Sequence, residues 1–142
     1  MARKKVIVSF DYEHDKDYYY LLKAWDANLD FDFFFSDLTP KEIQTESVAT
    51  IKQVLRSKIH QANYMIALIG DYSDVLHPDH KEIGYKNWQA YEIAKNHEWG
   101  NGLVVVKLKS TYTAPDEAYG IGAEWVDSFN EKDVTAALNK PN

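Results

Sequence analysis

The stretch YMIALIG at residues 64–70 decides the fold class. Six consecutive residues that are largely apolar, closed by a glycine, are typical of a strand that is buried on both faces. Three similar runs occur elsewhere, namely KVIVSF at 5–10, FDFFFS at 31–36 and LVVVKL at 103–108. Such strands belong to parallel sheets, whose two faces are covered by helices.

Helical patterns separate these runs. In the first of them, Tyr18, Leu21, Leu22 and Trp25 recur at the spacing of one helical face, and Asp15 is placed to cap the helix. We predict helices over about 15–27, 47–60, 87–97 and 129–138, and a weaker fifth strand over 121–126. Polar loops are predicted over 11–14, 37–46 and 71–86.

Strict alternation of strands and helices predicts an α/β protein with a parallel sheet. Right-handed crossovers and a chain of 142 residues favour a flavodoxin-like three-layer sandwich with a central sheet of about five strands. The length fits one domain that spans 1–142.

Charge and composition exclude several classes of protein. The net charge is −6, and the acidic residues concentrate in 11–46, which disfavours a nucleic-acid partner. The chain has no cysteine, so disulfides, thiolate metal sites and a cysteine nucleophile are excluded. No apolar run is long enough to span a membrane, and the N-terminal stretch does not resemble a signal peptide. We therefore expect a cytoplasmic protein without a membrane partner.

Ligands of open parallel sheets bind beyond the carboxyl ends of the strands. Three segments reach that edge here: 9–15, 36–45 and 70–92. In the first, Asp11 is either a ligand-binding residue or a turn or helix cap. In the second, Asp37 is the nearest polar candidate, with a capping role as its alternative.

The third segment holds Trp88 and Glu92, four residues apart on one face of a predicted helix. A helical wheel places both opposite the expected core stripe, so we expect Glu92 to be exposed near the ligand edge. A carboxylate there can stabilise a developing cation or bind sugar hydroxyls; the alternative is a solvated glutamate. The expected core stripe consists of Ala90, Ile93, Ala94 and His97.

The order of three motifs resembles that of TIR-like domains. They are SFDYEHD at 9–15, IALIG at 66–70 and WQAYEIA at 88–94, and the last matches the W-x-x-x-E element of that family. The resemblance covers about residues 4–108 and is greatest to the group that includes the TIR component of Thoeris antiphage systems. Gln89 stands where a cysteine is common in the family, and 111–142 match nothing in it.

This resemblance implies an enzyme that cleaves the nicotinamide–ribose bond of NAD, with NAD as substrate and neither cofactor nor metal. Glu92 would be catalytic and would contact the ribose. It also implies an ADP-ribose-derived product, cyclic or conjugated, that a separate effector protein reads in antiviral defence. Self-association into a homo-oligomer would complete the site. Substrate-binding candidates are Phe10, Asp11, Tyr12, Asp37 and Trp88.

Other interpretations remain open on the residues alone. The chain has neither G-x-G-x-x-G nor a P-loop, so backbone amides with Lys81 or Lys86 would have to hold a pyrophosphate. A non-catalytic TIR-like interaction module is the main alternative. A receiver or flavodoxin-like domain and a deoxyribosyltransferase-like enzyme are two others. A metal site is disfavoured; its candidate ligands would be His77, Asp79, His80 and Glu82.

Overall fold

The protein is a three-layer α/β sandwich around one parallel sheet, in a computed structural model that describes residues 4–27, 33–37 and 47–140. The five strands lie in the order β2-β1-β3-β4-β5, and every neighbouring pair is parallel. This confirms the predicted flavodoxin-like class. The strands are β1 Lys4–Ser9, β2 Phe33–Asp37, β3 Tyr64–Ile69, β4 Gly102–Lys107 and β5 Glu124–Val126.

Alternate residues of the central strands supply two separate cores, one on each face of the sheet. Met65 and Ala67 of β3 face one cluster, whereas Ile66 and Leu68 face the other. All four are fully buried. The uninterrupted apolar run at 64–69 therefore reflects a strand that is covered on both sides.

Helices α2 and α4 pack on one face, and α1 and α5 pack on the opposite face. The helices are α1 Tyr12–Asp26, α2 Val48–His60, α3 His80–Ile83, α4 Trp88–Trp99 and α5 Glu131–Leu138. A turn of 3-10 helix, Asp116–Ala118, contacts α4. Within the described residues, no helix combines the length and apolar character needed to cross a lipid bilayer.

The predicted N-cap of α1 is wrong by four residues. Asp11, not Asp15, is the N-cap, and its carboxylate accepts a hydrogen bond from the backbone N–H of Glu13. Asp15 lies inside the helix and is buried, and the predicted loop 11–14 is mostly helical. Leu21, expected on the core face, is half exposed. Aspartate is a favourable N-cap, so N-cap propensity alone does not distinguish Asp11 from Asp15.

Other bounds differ by smaller amounts. The predicted loop 71–86 contains the short helix α3, and the fifth strand covers only 124–126 of the predicted 121–126. Residues 31–32 of the predicted second strand and 38–46 of the predicted loop lie outside the described residues. Asp37, predicted to begin that loop, is the last residue of β2.

Candidate functional site

A cavity of about 500 Å³ opens at the carboxyl edge of the sheet, where β1 and β3 end. This is the position at which strand order reverses and where open α/β sheets bind ligands. The volume is in the usual range for small-molecule sites. The lining comes from the start of α1, from the β3–α4 connection and from the first turn of α4: Phe10, Asp11, Tyr12, Glu13, His14, Tyr72, Ser73, Val75, Leu76, His77, Pro78, Asn87, Trp88 and Gln89.

One wall of the cavity is held together by Asp11, His14 and Tyr72. Asp11 Oδ2 lies 2.7 Å from His14 Nδ1, while its other carboxylate oxygen caps α1. The imidazole of His14 stacks on the ring of Tyr72, with centroids 3.7 Å apart. This contact joins α1 to the β3–α4 connection within that wall.

Asn87 fixes the opposite side of the same connection. Its Oδ1 accepts from the backbone N–H of Ala90 and so caps α4, and its Nδ2 donates to the carbonyls of Ser73 and Val75. A single buried amide therefore begins the helix and ties the preceding loop to it.

Gln89 closes the cavity against the ends of β1 and β3. Its Nε2 donates to the carbonyl oxygens of Ser9 and Leu68, at 3.0 Å each. Its Oε1 is buried and has no hydrogen-bond partner among the described residues. The sequence distinguishes Gln89 only as a departure from the family pattern. A polar residue next to an expected site residue was the only signal for it.

Glu92 is buried, at 2% exposure, which contradicts the expected exposed position. Ser9 Oγ donates to Glu92 Oε1 at 2.6 Å, and Oε2 has no partner in the described part of the chain. Burial raises the pKa of Glu92 well above its usual value, and the Ser9 hydrogen bond opposes that rise. The side chain lies one contact behind the cavity wall, because the backbone of Ser9 also holds Gln89.

The helical wheel predicted the wrong exposure for Glu92 because α4 buries a row of polar side chains against the sheet. Gln89, Glu92 and Asn96 recur at i, i+3 and i+7 and hydrogen-bond to Ser9 or to the carbonyl of Gly102. In the expected core stripe, Ala90 and Ile93 are buried, Ala94 is partly buried and His97 is exposed. A pattern that counts apolar residues cannot detect a helix face that pairs with strand ends.

Four of the six predicted site residues line the cavity, namely Phe10, Asp11, Tyr12 and Trp88. Phe10 is buried and also stacks on Tyr19, with centroids 5.1 Å apart. Asp37 and Glu92 do not line the cavity. Their assignment to a substrate stays a prediction, as does that of the four lining residues.

A second buried carboxyl, Asp15, lies next to this cavity at the end of β3. A Cβ on Gly70 would lie 2.1 Å from Asp15 Oδ2, so the glycine is what lets the carboxyl approach the backbone. Burial raises the pKa of Asp15 to about 6, the carboxylates of Asp11 and Asp71 add to the rise, and His14 opposes it. The sequence predicts only a helix cap at Asp15.

The cavity wall is acidic and aromatic. It includes Asp11 and Glu13, and no lysine or arginine is among its described lining residues. Lys86, one of the two predicted phosphate-binding lysines, pairs instead with Asp74 at 3.2 Å. The described residues contain no group of three or more metal-binding side chains, so the loop 77–82 does not assemble a metal site there.

The fold and site define an α/β protein with a ligand-sized cavity at the switch point of its sheet. Residues 7–113 match the family model described as Thoeris protein ThsB, TIR-like domain. The chain therefore belongs to the Thoeris TIR-like domain family, as the motif order predicted. Among curated proteins, none matches this chain.

Two solved structures are similar to this chain, and the first of them shows the same fold. A 2-desoxiribosyltransferase from Leishmania mexicana is 16% identical, with a TM-score of 0.57 over 95% of this chain and 94% of that one. A 2-deoxyribosyltransferase from Bacillus psychrosaccharolyticus is 15% identical, with a TM-score of 0.45 over 73% and 72% of the two chains. At 16% identity, the likeness to the first of these structures concerns the fold alone.

Proposed function

We propose that this protein cleaves the bond between nicotinamide and ribose in NAD and makes an ADP-ribose-derived signal, cyclic or linear, in antiviral defence. Membership of the Thoeris TIR-like family supports this function. The observation that carries it is the buried carboxyl of Glu92, which has one oxygen without a partner among the described residues and lies directly behind a cavity at the sheet's switch point.

The chemistry of the cavity suits the nicotinamide end of NAD. The pyridinium ring carries a positive charge, which aromatic faces and carboxylates attract. Phe10, Tyr12 and Trp88 supply rings in the lining, and Asp11 supplies an anion. Nicotinamide therefore enters the cavity, and its ribose faces the α4 wall.

In this proposal Glu92 stabilises the sugar as the bond breaks. Nicotinamide leaves as a neutral molecule, so no acid is needed, and the sugar becomes an oxocarbenium ion that a nearby carboxylate stabilises. Burial favours the neutral form of Glu92 in the empty site. A cationic ring in the cavity favours the ionised form, so substrate binding promotes the ionisation of Glu92, whose charge then acts on the sugar from behind the cavity wall.

The pyrophosphate is held outside the acidic cavity. Lys81 and Lys86 precede α4 but do not line the cavity, and the described lining contains no lysine or arginine. A second copy of the chain supplies the missing contacts in the proposed homo-oligomer. A separate effector protein then binds the product. Asp37, at the end of β2, would contact the ribose beyond the cavity.

The test is incubation of concentrated protein with NAD and analysis of the products by mass. We expect release of nicotinamide by the parent and loss of release in Glu92→Gln. Glutamine has nearly the same shape and keeps the Ser9 contact, so the fold should persist. Glu98→Gln, at an exposed position of the same helix, is the matched control and should keep the parent rate.

The alternative is a non-catalytic TIR-like interaction module, which the same family membership allows. Absence of nicotinamide release at any protein concentration would favour it. Equal rates for Glu92→Gln and the parent would instead leave an enzyme whose catalytic group lies elsewhere.

A further inference from the structure

We propose that the Asp11–His14 pair is the general base that activates the hydroxyl which attacks the sugar. This inference rests on the proposed NAD cleavage and adds the step that the proposal leaves open. Glu92 explains how the glycosidic bond breaks, but it does not explain where the proton of the incoming nucleophile goes. The cavity lining offers one histidine that is oriented by a carboxylate.

The hydrogen bond to Asp11 sets the tautomer of His14. A carboxylate oxygen only accepts, so Nδ1 carries the proton in the 2.7 Å contact with Asp11 Oδ2. In the neutral ring, Nε2 then holds the lone pair and is the atom that can take a proton. Nε2 makes no hydrogen bond to any described residue.

The ring is held in place from both sides. Asp11 cannot rotate freely, since its other oxygen accepts from the N–H of Glu13 at 3.1 Å. Tyr72 stacks on the imidazole at an interplanar angle of 18°. A base, an orienting carboxylate and a fixed ring plane are the arrangement that general base catalysis requires.

His77 also lines the cavity, but its contacts give it a different role. Its Nδ1 accepts from the backbone N–H of Asp79 at 2.9 Å, so this ring holds the turn before α3. No carboxylate partner of His77 is found within the part of the chain that the structure describes. The two histidines are therefore not equivalent as bases.

The reaction replaces one bond at C1′ of the ribose with another. The bond between C1′ and the nicotinamide nitrogen breaks, and its electron pair goes to that nitrogen. A new bond forms between C1′ and the oxygen of water or of another hydroxyl. The proton of that hydroxyl passes to His14 Nε2 and then to solvent, which returns the pair to its starting state.

A nucleophile that has no proton to lose can distinguish general base catalysis by His14 from a purely structural role of this residue. A neutral pyridine, such as 3-acetylpyridine, attacks C1′ through its ring nitrogen and needs no base. We expect His14→Gln to lower hydrolysis or cyclisation by about 100-fold or more, because a positioned base contributes about 10²–10⁴-fold. Exchange of nicotinamide for the pyridine should continue, so the ratio of exchange to hydroxyl-derived product rises.

Two further variants complete the experiment. Asp11→Asn keeps a good helix cap but not the charge, so it should shift the product ratio in the same direction while the melting temperature holds. His97→Gln, at an exposed position on α4, should leave the ratio unchanged. An unchanged ratio in His14→Gln, or an equal loss of both products, would overturn the assignment. A parent protein that neither releases nor exchanges nicotinamide would instead refute the proposed function.

Discussion

At the scale of single residues, two buried carboxyl groups are the features most relevant to function. Glu92 and Asp15 each keep one oxygen without a partner in the described residues, and burial raises the pKa of both. An unpaired buried carboxylate costs stability, so its retention is what a functional site would show. Glu92 lies behind the cavity wall, whereas Asp15 contacts the glycine that ends β3.

Replacing Asp15 with asparagine should stabilise the protein above about pH 6. The pKa of Asp15 is raised in the fold from 3.8 to about 6, so the ionised form is disfavoured there. The parent therefore loses stability as the pH rises from about 4 through 6. The variant does not lose this stability, because asparagine stays neutral. Thermal melts should show the variant above the parent at pH 8 and level with it near pH 4.

Asp17→Asn serves as the control, because Asp17 is exposed on the same helix. It should melt with the parent at both pH values. A variant at Asp15 that gains nothing at pH 8 would show that the carboxyl has a compensating partner.

Among the elements, α4 does the most to build the site, since it supplies the cap, the wall and the carboxyl behind the wall. Asn87 begins it and also holds the preceding loop. The order of these roles follows the chain: loop, cap, cavity residues, then Glu92 one turn later. The W-x-x-x-E motif therefore spans about one helical turn, from Trp88 in the cavity wall to Glu92 behind that wall.

Asn87→Ser should release the loop while it keeps the helix cap. Serine caps as well as asparagine does, but it cannot reproduce the two Nδ2 hydrogen bonds to Ser73 and Val75. We expect a loss of about 1–3 kcal/mol in the free energy of unfolding from those two bonds. Denaturant melts should place Asn87→Ala lower still, because alanine also removes the cap. Equal stability of the two variants would contradict the separation of roles.

In the whole molecule, two cores on opposite faces of one sheet position the cavity between β1 and β3. The family match ends at residue 113, yet the chain beyond it adds β5 and α5. Val134 and Leu138 of α5 join the core that also contains Leu22 of α1. The C-terminal segment therefore completes the face of the sheet opposite to α4.

Leu138→Ala should destabilise the fold without changing the chemistry. The side chain is 1% exposed, and truncating such a leucine costs about 2–5 kcal/mol. Denaturant unfolding should detect this loss, and nicotinamide release per folded molecule should equal that of the parent. A change in the rate per folded molecule would mean that α5 also contributes to the site.

The strands, their parallel arrangement and most helix ends could be predicted, because apolar runs, helical spacing and capping residues are local properties of the chain. Phe10, Asp11, Tyr12 and Trp88 were placed at the cavity for the same reason: strand ends and helix starts meet at one edge of a parallel sheet. The burial of Glu92, the Ser9 contact and the stacking of His14 on Tyr72 were decided only by the folded chain. Each of them joins residues distant in sequence, and polarity alone does not reveal that a carboxyl is buried against a strand end.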